Sequence, residues 1–140
     1  MKHLSLTVII VGLVVIALIV LAVLIYFFRR PKKLKNTYFI NRWSELQKLL
    51  ADKSSWANAI ISADILLDIA LKKKRYGGKS MGERLVSAQR DFSDNDSVWF
   101  GHKLRNKIDS NPKLKLRKSD VKDALLGIRG ALKDLGAFKK

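Results

Sequence analysis

Between Leu4 and Phe28 only Ser5, Thr7 and Gly12 interrupt a run of apolar side chains. Such a segment has few options. As a helix rising about 1.5 Å per residue it extends about 37 Å, enough to cross a hydrocarbon core of about 30 Å with some tilt. A lone segment in lipid satisfies its own backbone groups only as a helix, so the β-branched stretch Val8-Ile9-Ile10-Val11 does not argue for a strand. Residues 1–28 are therefore expected to be the transmembrane anchor of a single-pass protein in a lipid bilayer. A cleavable signal peptide would carry a shorter apolar region of about 7–15 residues and end in small residues. No Ala-x-Ala stands near the end of this run.

Tyr26, Phe27 and Phe28 form an aromatic edge, and Arg29, Arg30, Lys32, Lys33 and Lys35 follow at once. Cations flanking a membrane segment set its orientation, and on the other side stand only Lys2 and the α-amino group. The expectation is a cell-membrane protein with its N-terminus outside and its C-terminal part in the cytoplasm. Residues 29–36 read as a basic juxtamembrane linker, with Pro31 marking the exit from the helix. Its cations suit anionic lipid headgroups, at about 1 kcal/mol per basic residue near the surface.

Charge is as unevenly spread as hydropathy. Of the 28 Lys and Arg residues 27 follow Phe28, as do all 12 acidic residues, leaving a net +15 on the polar part. Phosphate-bearing partners, anionic lipid or nucleic acid, suit such a balance. There is no cysteine, which excludes disulfides, thiolate metal sites and a cysteine nucleophile. Two histidines make a protein-only zinc site improbable, so no metal or cofactor is expected.

Beyond residue 36 helical periods recur and no sustained alternation does. A first amphipathic stretch runs from Thr37 to Leu50, with Phe39, Ile40, Trp43, Leu46, Leu49 and Leu50 on one side. Ser54 or Ser55 is placed to cap a second helix, in which Trp56, Ala59, Ile60, Ala63, Leu66, Leu67 and Ala70 repeat at i, i+3, i+4, i+7. Gly77 and Gly78 are expected to stop it. Ser80 and Glu83 form a capping box for a short helix through Ala88. A fourth helix spans Ser97–Ile108, closed by Asn111-Pro112, and Ser119 is placed to cap a last one ending near Gly136. The expected fold is all-α: one transmembrane helix, then four or five helices in an antiparallel bundle over 37–140.

Two polar groups interrupt the apolar pattern. His102, Arg105 and Asn106 stand at i, i+3, i+4 on one helix face, with Lys103 and Lys107 beside them. Asp64 and Asp68 lie one turn apart in an otherwise apolar helix and repel unless a cation faces them; Arg105 is the expected partner. Such an ion pair would bolt the two helices together, with Asn106 satisfying backbone groups at the helix end. The alternative is a phosphate or nucleotide pocket built on Arg105, His102 and the lysines. Sequence alone leaves both open.

The stretch Trp99-Phe100-Gly101-His102-Lys103-Leu104-Arg105-Asn106-Lys107-Ile108 resembles the signature helix of the higher-eukaryote and prokaryote nucleotide-binding (HEPN) domains. Ala63-Asp64-x-x-Leu67-Asp68, Gly78-x-x-Met81-Gly82-Glu83-Arg84-Leu85 and Ala131-Leu132-x-x-Leu135-Gly136 fit the same pattern, over about Ser55 to Phe138. It is similar in particular to the membrane-anchored versions of small-genome bacteria. The resemblance implies a helical bundle, usually a homodimer. In active members, it also implies metal-independent RNA cleavage by an Arg-Asn-x-x-x-His motif. Imidazole then serves as acid and base, and guanidinium stabilises transition-state charge. Arg105 and Asn106 match that motif, but Ser110 stands where the histidine belongs. A serine hydroxyl does not titrate near neutrality as imidazole does. The expected function is thus a membrane-tethered, non-catalytic module binding a protein or RNA partner. A compromised or partner-completed HEPN-type ribonuclease or nucleotide-binding protein is the alternative.

Overall fold

The computed structural model describes residues 2–139, and side chains from residue 5 to 139; the side chain of Lys2, used above for orientation, lies outside them. The chain forms two compact units, residues 1–31 and 32–140. It is all-α, with no strand among the described residues.

The first unit is one continuous helix, α1, Lys2–Arg29. It is long and apolar enough to span a membrane, and the apolar side chains described on it are all exposed. At its end the Arg30 guanidinium donates to the Tyr26 hydroxyl at 2.8 Å and lies 4.6 Å from the centre of that ring. A cation stacked on an aromatic one turn back suits an interfacial boundary.

Among the described residues the second unit holds five α-helices: α2 (Asn36–Lys48), α3 (Trp56–Lys73), α4 (Met81–Ala88), α5 (Asn95–Ser110) and α6 (Lys118–Asp134). It begins earlier than residue 37. Leu34, the apolar exception in the basic stretch, is buried, and the Lys32 N–H donates to the Lys73 carbonyl at 3.1 Å. That carbonyl belongs to the last turn of α3, where carbonyls lack intrahelical partners. Residues 32–35 thus belong to the folded unit instead of forming a free linker.

Helix α2 buries Phe39, Trp43 and Leu46, but Ile40, expected on the same stripe, is 43% exposed. Two 3-10 turns, Leu49–Ala51 and Lys53–Ser55, lead to α3. The cap of the second is the Asp52 carboxylate, which accepts from Ser54; Ser55 precedes α3 without a side-chain cap bond. Helix α3 is central, touching all four others and burying Ala59, Ile60, Ala63, Leu66, Leu67, Ala70 and Leu71. It is stopped by Arg75 and not by the expected glycines. Arg75 takes φ 64° while the Tyr76 N–H reaches back to the Leu71 carbonyl, the Schellman closure that glycine usually provides. The same closure ends α6, there with Gly136 at φ 84°.

Ser80 caps α4 by accepting from the Glu83 N–H. The Glu83 carboxylate, however, receives the Lys79 N–H at 2.6 Å, one residue before the capping-box position. Asp94 caps α5, which is a turn longer than the sequence suggests. Helix α6 starts at Lys118 after Arg117, so Ser119 lies inside its first turn and is not the cap. Arg117 and Asp120 pair there at 2.9 and 3.1 Å.

Helices α5 and α6 form the most extensive helix pair, and they run antiparallel: Ser93 meets Asp134, and Gly101 meets Ala124 and Ile128. Between α3 and α4 the loop is tied down by Tyr76, whose hydroxyl donates to Asp91 at 2.5 Å. Burial, and then this bond to the carboxylate, push the Tyr76 phenol up to about 12. A raised value favours the neutral phenol in the fold. Its contribution to stability is complete below about pH 10 and lost as pH rises through about 12.

Candidate functional site

The site is built on the facing surfaces of α3 and α5, where a carboxylate rises from an apolar stripe. Asp64 follows Ala63 on the buried face of α3 and is 2% exposed. Its tight partner is His102, not Arg105. The His102 Nδ1 lies 3.0 and 3.2 Å from the two carboxylate oxygens, and its side chain is 9% exposed. Arg105 Nε stands 3.7 Å from Asp64, beyond hydrogen-bond reach, and is buried without a partner among the described residues. Its guanidinium turns outward, donating to Asp109 at 2.8 Å and to the Asn106 amide oxygen at 3.3 Å. The reason is register. His102 faces Asp64 squarely, whereas Arg105, nearly one turn on, reaches the same carboxylate only from the side.

Asp68 has a different set of partners. Arg84 Nε and Nη2 both lie 2.7 Å from one oxygen, and the exposed Lys72 reaches the other at 2.9 Å. Arg84 also donates to the Gly78 carbonyl at 2.8 Å, tying α4 and its preceding loop to α3. Sequence reasoning missed Arg84. The signal was present, because it is a cation on the buried face of a short helix beside Leu85 and Ala88. Arg105 therefore does not serve both carboxylates.

Around His102 the fold is closed. A carboxylate accepts but does not donate, so Nδ1 carries a proton toward Asp64. The Asn106 amide nitrogen approaches Nε2 at 3.4 Å, instead of serving the helix end as expected. Trp99 meets the imidazole edge-on, ring centres 5.9 Å apart. Gly82 of α4 faces the same nitrogen, with a Cβ there lying 4.0 Å from Nε2.

Ser110 lies two turns further along α5 and is exposed; its hydroxyl donates to the Asn106 carbonyl at 3.0 Å. Lys103 and Lys107 are exposed and, with Asn106, Ser110, Asn111 and Leu114, border an open groove of about 520 Å³. The structure thus divides the predicted set. His102 and Asp64 are joined inside with the exposed Asn106 reaching the imidazole from the surface, while Lys103, Lys107 and Ser110 lie along the surface. Arg29, Arg30, Lys32, Lys33 and Lys35 are all exposed. Among the described residues no three His, Asp or Glu side chains converge as metal ligands.

A carboxylate-oriented imidazole can act as a base in an open cleft. Here its free nitrogen is covered by an amide, an indole and a neighbouring helix, which suits fastening α3 to α5. Among known proteins, no family model, no curated protein and no solved structure matches this chain.

Proposed function

We propose that this chain is a membrane-tethered, non-catalytic interaction module, its helical domain facing the cytoplasm and holding a protein or RNA partner there. One observation carries the reading: the imidazole of the HEPN-like helix is buried, with Nδ1 on Asp64 and Nε2 under Asn106. No described group on that helix is left both titratable near neutrality and open to a substrate. The helix keeps exposed lysines instead, which suit binding more than chemistry. The five cations from Arg29 to Lys35 support the orientation, and tethering raises the effective concentration of any partner at the bilayer.

The full chain in neutral-lipid nanodiscs is expected to leave single-stranded RNA intact, and Ser110→His is expected to add no cleavage. Metal-independent cutting that disappears in Arg105→Ala would sink the reading. If RNA is the partner, binding weakens steeply as salt rises, because neutralised phosphates release counterions; a flat salt response assigns the partner to protein. A C-terminal reporter should read cytoplasmic in cells, and an external signal would reverse the orientation.

One observation favours the alternative of a ribonuclease or nucleotide-binding protein completed by a partner or a second copy. The Asp64–His102 pair has the polarity of a carboxylate-oriented general base. That alternative requires Asn106 and Trp99 to move aside. It predicts that RNA or nucleotide addition broadens the His102 ring signals in proton NMR, and unchanged signals count against it.

A further inference from the structure

A second surface, away from the His102 site, has the build of a protein-binding groove. It runs between α2 and α6 and encloses about 290 Å³ over Trp43, Leu46, Leu50, Trp56, Val121 and Leu125. Along its α6 side stand Lys118, Lys122 and Arg129, all exposed, and no acidic residue borders it. From Lys118 to Arg129 the α6 edge covers about 16 Å, or three helical turns. Beside the groove floor Leu126 is 55% exposed. Trp56 has its indole N–H bonded to the Leu50 carbonyl at 3.1 Å, whereas the buried Trp43 N–H finds no acceptor among the described residues.

We infer that this groove receives an amphipathic, acidic helix of a partner protein, with apolar side chains at i, i+3, i+4 and i+7 entering between Trp56 and Leu125. The inference rests on the interaction-module reading above and deepens it by naming the partner's chemistry. Two helices with an apolar seam present the surface that a third helix covers in helix-in-groove recognition. The charge pattern selects the sign of its flanks. The three cations are spread along the α6 edge over about 16 Å, one turn and then two turns apart, matching carboxylates distributed along a guest helix. A single anionic headgroup on an acyl chain would call for cations gathered at one end.

The probe is a labelled synthetic peptide of about four turns, leucines at i, i+3, i+4, i+7 and glutamates flanking them. Its anisotropy is followed on titration with the full chain in neutral phosphatidylcholine nanodiscs. Saturable one-to-one binding is expected, weakened at least about tenfold by Lys122→Glu with Arg129→Glu. A lysine-flanked version should then bind that charge-reversed variant better than it binds the parent. Because Lys122 and Arg129 are exposed, circular dichroism should report an unchanged fold.

Equal binding of the acidic and basic peptides to the parent overturns the inference. So does equal weakening by Lys103→Glu with Lys107→Glu, which would reduce the effect to general attraction by a chain of formal charge +16. If the peptide fails while vesicles containing anionic phosphatidylglycerol lose binding to the charge-reversed variant, the groove is a lipid site and the helix proposal falls. Peptide failure with salt-sensitive RNA binding intact overturns this inference alone and leaves the interaction-module reading standing.

Discussion

Gly127→Ala is expected to destabilise the helical domain by about 2 kcal/mol, although alanine is the better helix former by about 1 kcal/mol. A Cβ at residue 127 would fall 2.2 Å from the Ser97 carbonyl oxygen and 2.5 Å from its carbon. Those atoms are backbone at the start of α5, so relief requires moving a helix and not merely a rotamer. Overpacking of this kind costs about 1–3 kcal/mol and sometimes more, which outweighs the propensity gain. Gly101 makes the reciprocal approach, its missing Cβ 2.9 Å from the Ala124 carbonyl oxygen and from Ile128. The two glycines let α5 and α6 approach until backbone meets backbone. Gly130, three residues further along α6, supplies the control: nothing lies within 4 Å of its would-be Cβ, so Gly130→Ala gains up to about 1 kcal/mol. In thermal unfolding of the full chain, the melting temperature should fall by roughly 8 °C for Gly127→Ala and rise by a few degrees for Gly130→Ala. Equal shifts for the two would show that the α5–α6 spacing is wrong.

Asp64→Leu is expected to cost about 3 kcal/mol or more. The substitution leaves the buried His102 N–H without an acceptor, a loss of about 1–3 kcal/mol. It also withdraws the buried carboxylate 3.7 Å from the Arg105 Nε, taking the total towards the 3–5 kcal/mol, roughly, of a broken buried ion pair. Adding His102→Leu should recover much of the loss, because two apolar groups then meet where two polar ones did. Denaturant unfolding of the two single variants and the double variant measures the coupling directly. If the single losses simply add, the pair does not hold α3 against α5. The outcome bears on function too, since an imidazole whose removal compensates for its missing partner is behaving as a fastening and not as a reagent.

Much of the fold was legible along the chain. The stripe Trp56, Ala59, Ile60, Ala63, Leu66, Leu67, Ala70 marks a core helix by period alone, and the structure buries every member but Trp56, which is half-buried. Caps were less legible, since Ser54, Ser55 and Ser119 are all suitable residues and none caps an α-helix. Capping depends on where the preceding backbone turns, and Asp52 and Arg117 hold those positions. Of the site, the residue types and the shared face of His102, Arg105 and Asn106 were readable. The pairing was not. Asp64 and Asp68 are one turn apart in sequence, yet they face different neighbours, α5 for one and α4 for the other. A charge row on one helix carries no information about which partner helix lies opposite.

The sequence by itself determined the long apolar helix, its cationic flank, the basic all-helical domain behind it and most of the buried stripe. These follow from local hydropathy and helical period, which need no knowledge of distant residues. The tertiary structure alone decided that Leu34 is drawn into the second unit, that His102 and not Arg105 holds Asp64, and that Arg84 takes Asp68. It also brought Trp43 and Trp56 beside Lys118, Lys122 and Arg129 across a groove. Each of these depends on the packing and rotation of one helix against another. Many side chains far apart along the chain set that geometry together, through close packing of the interior.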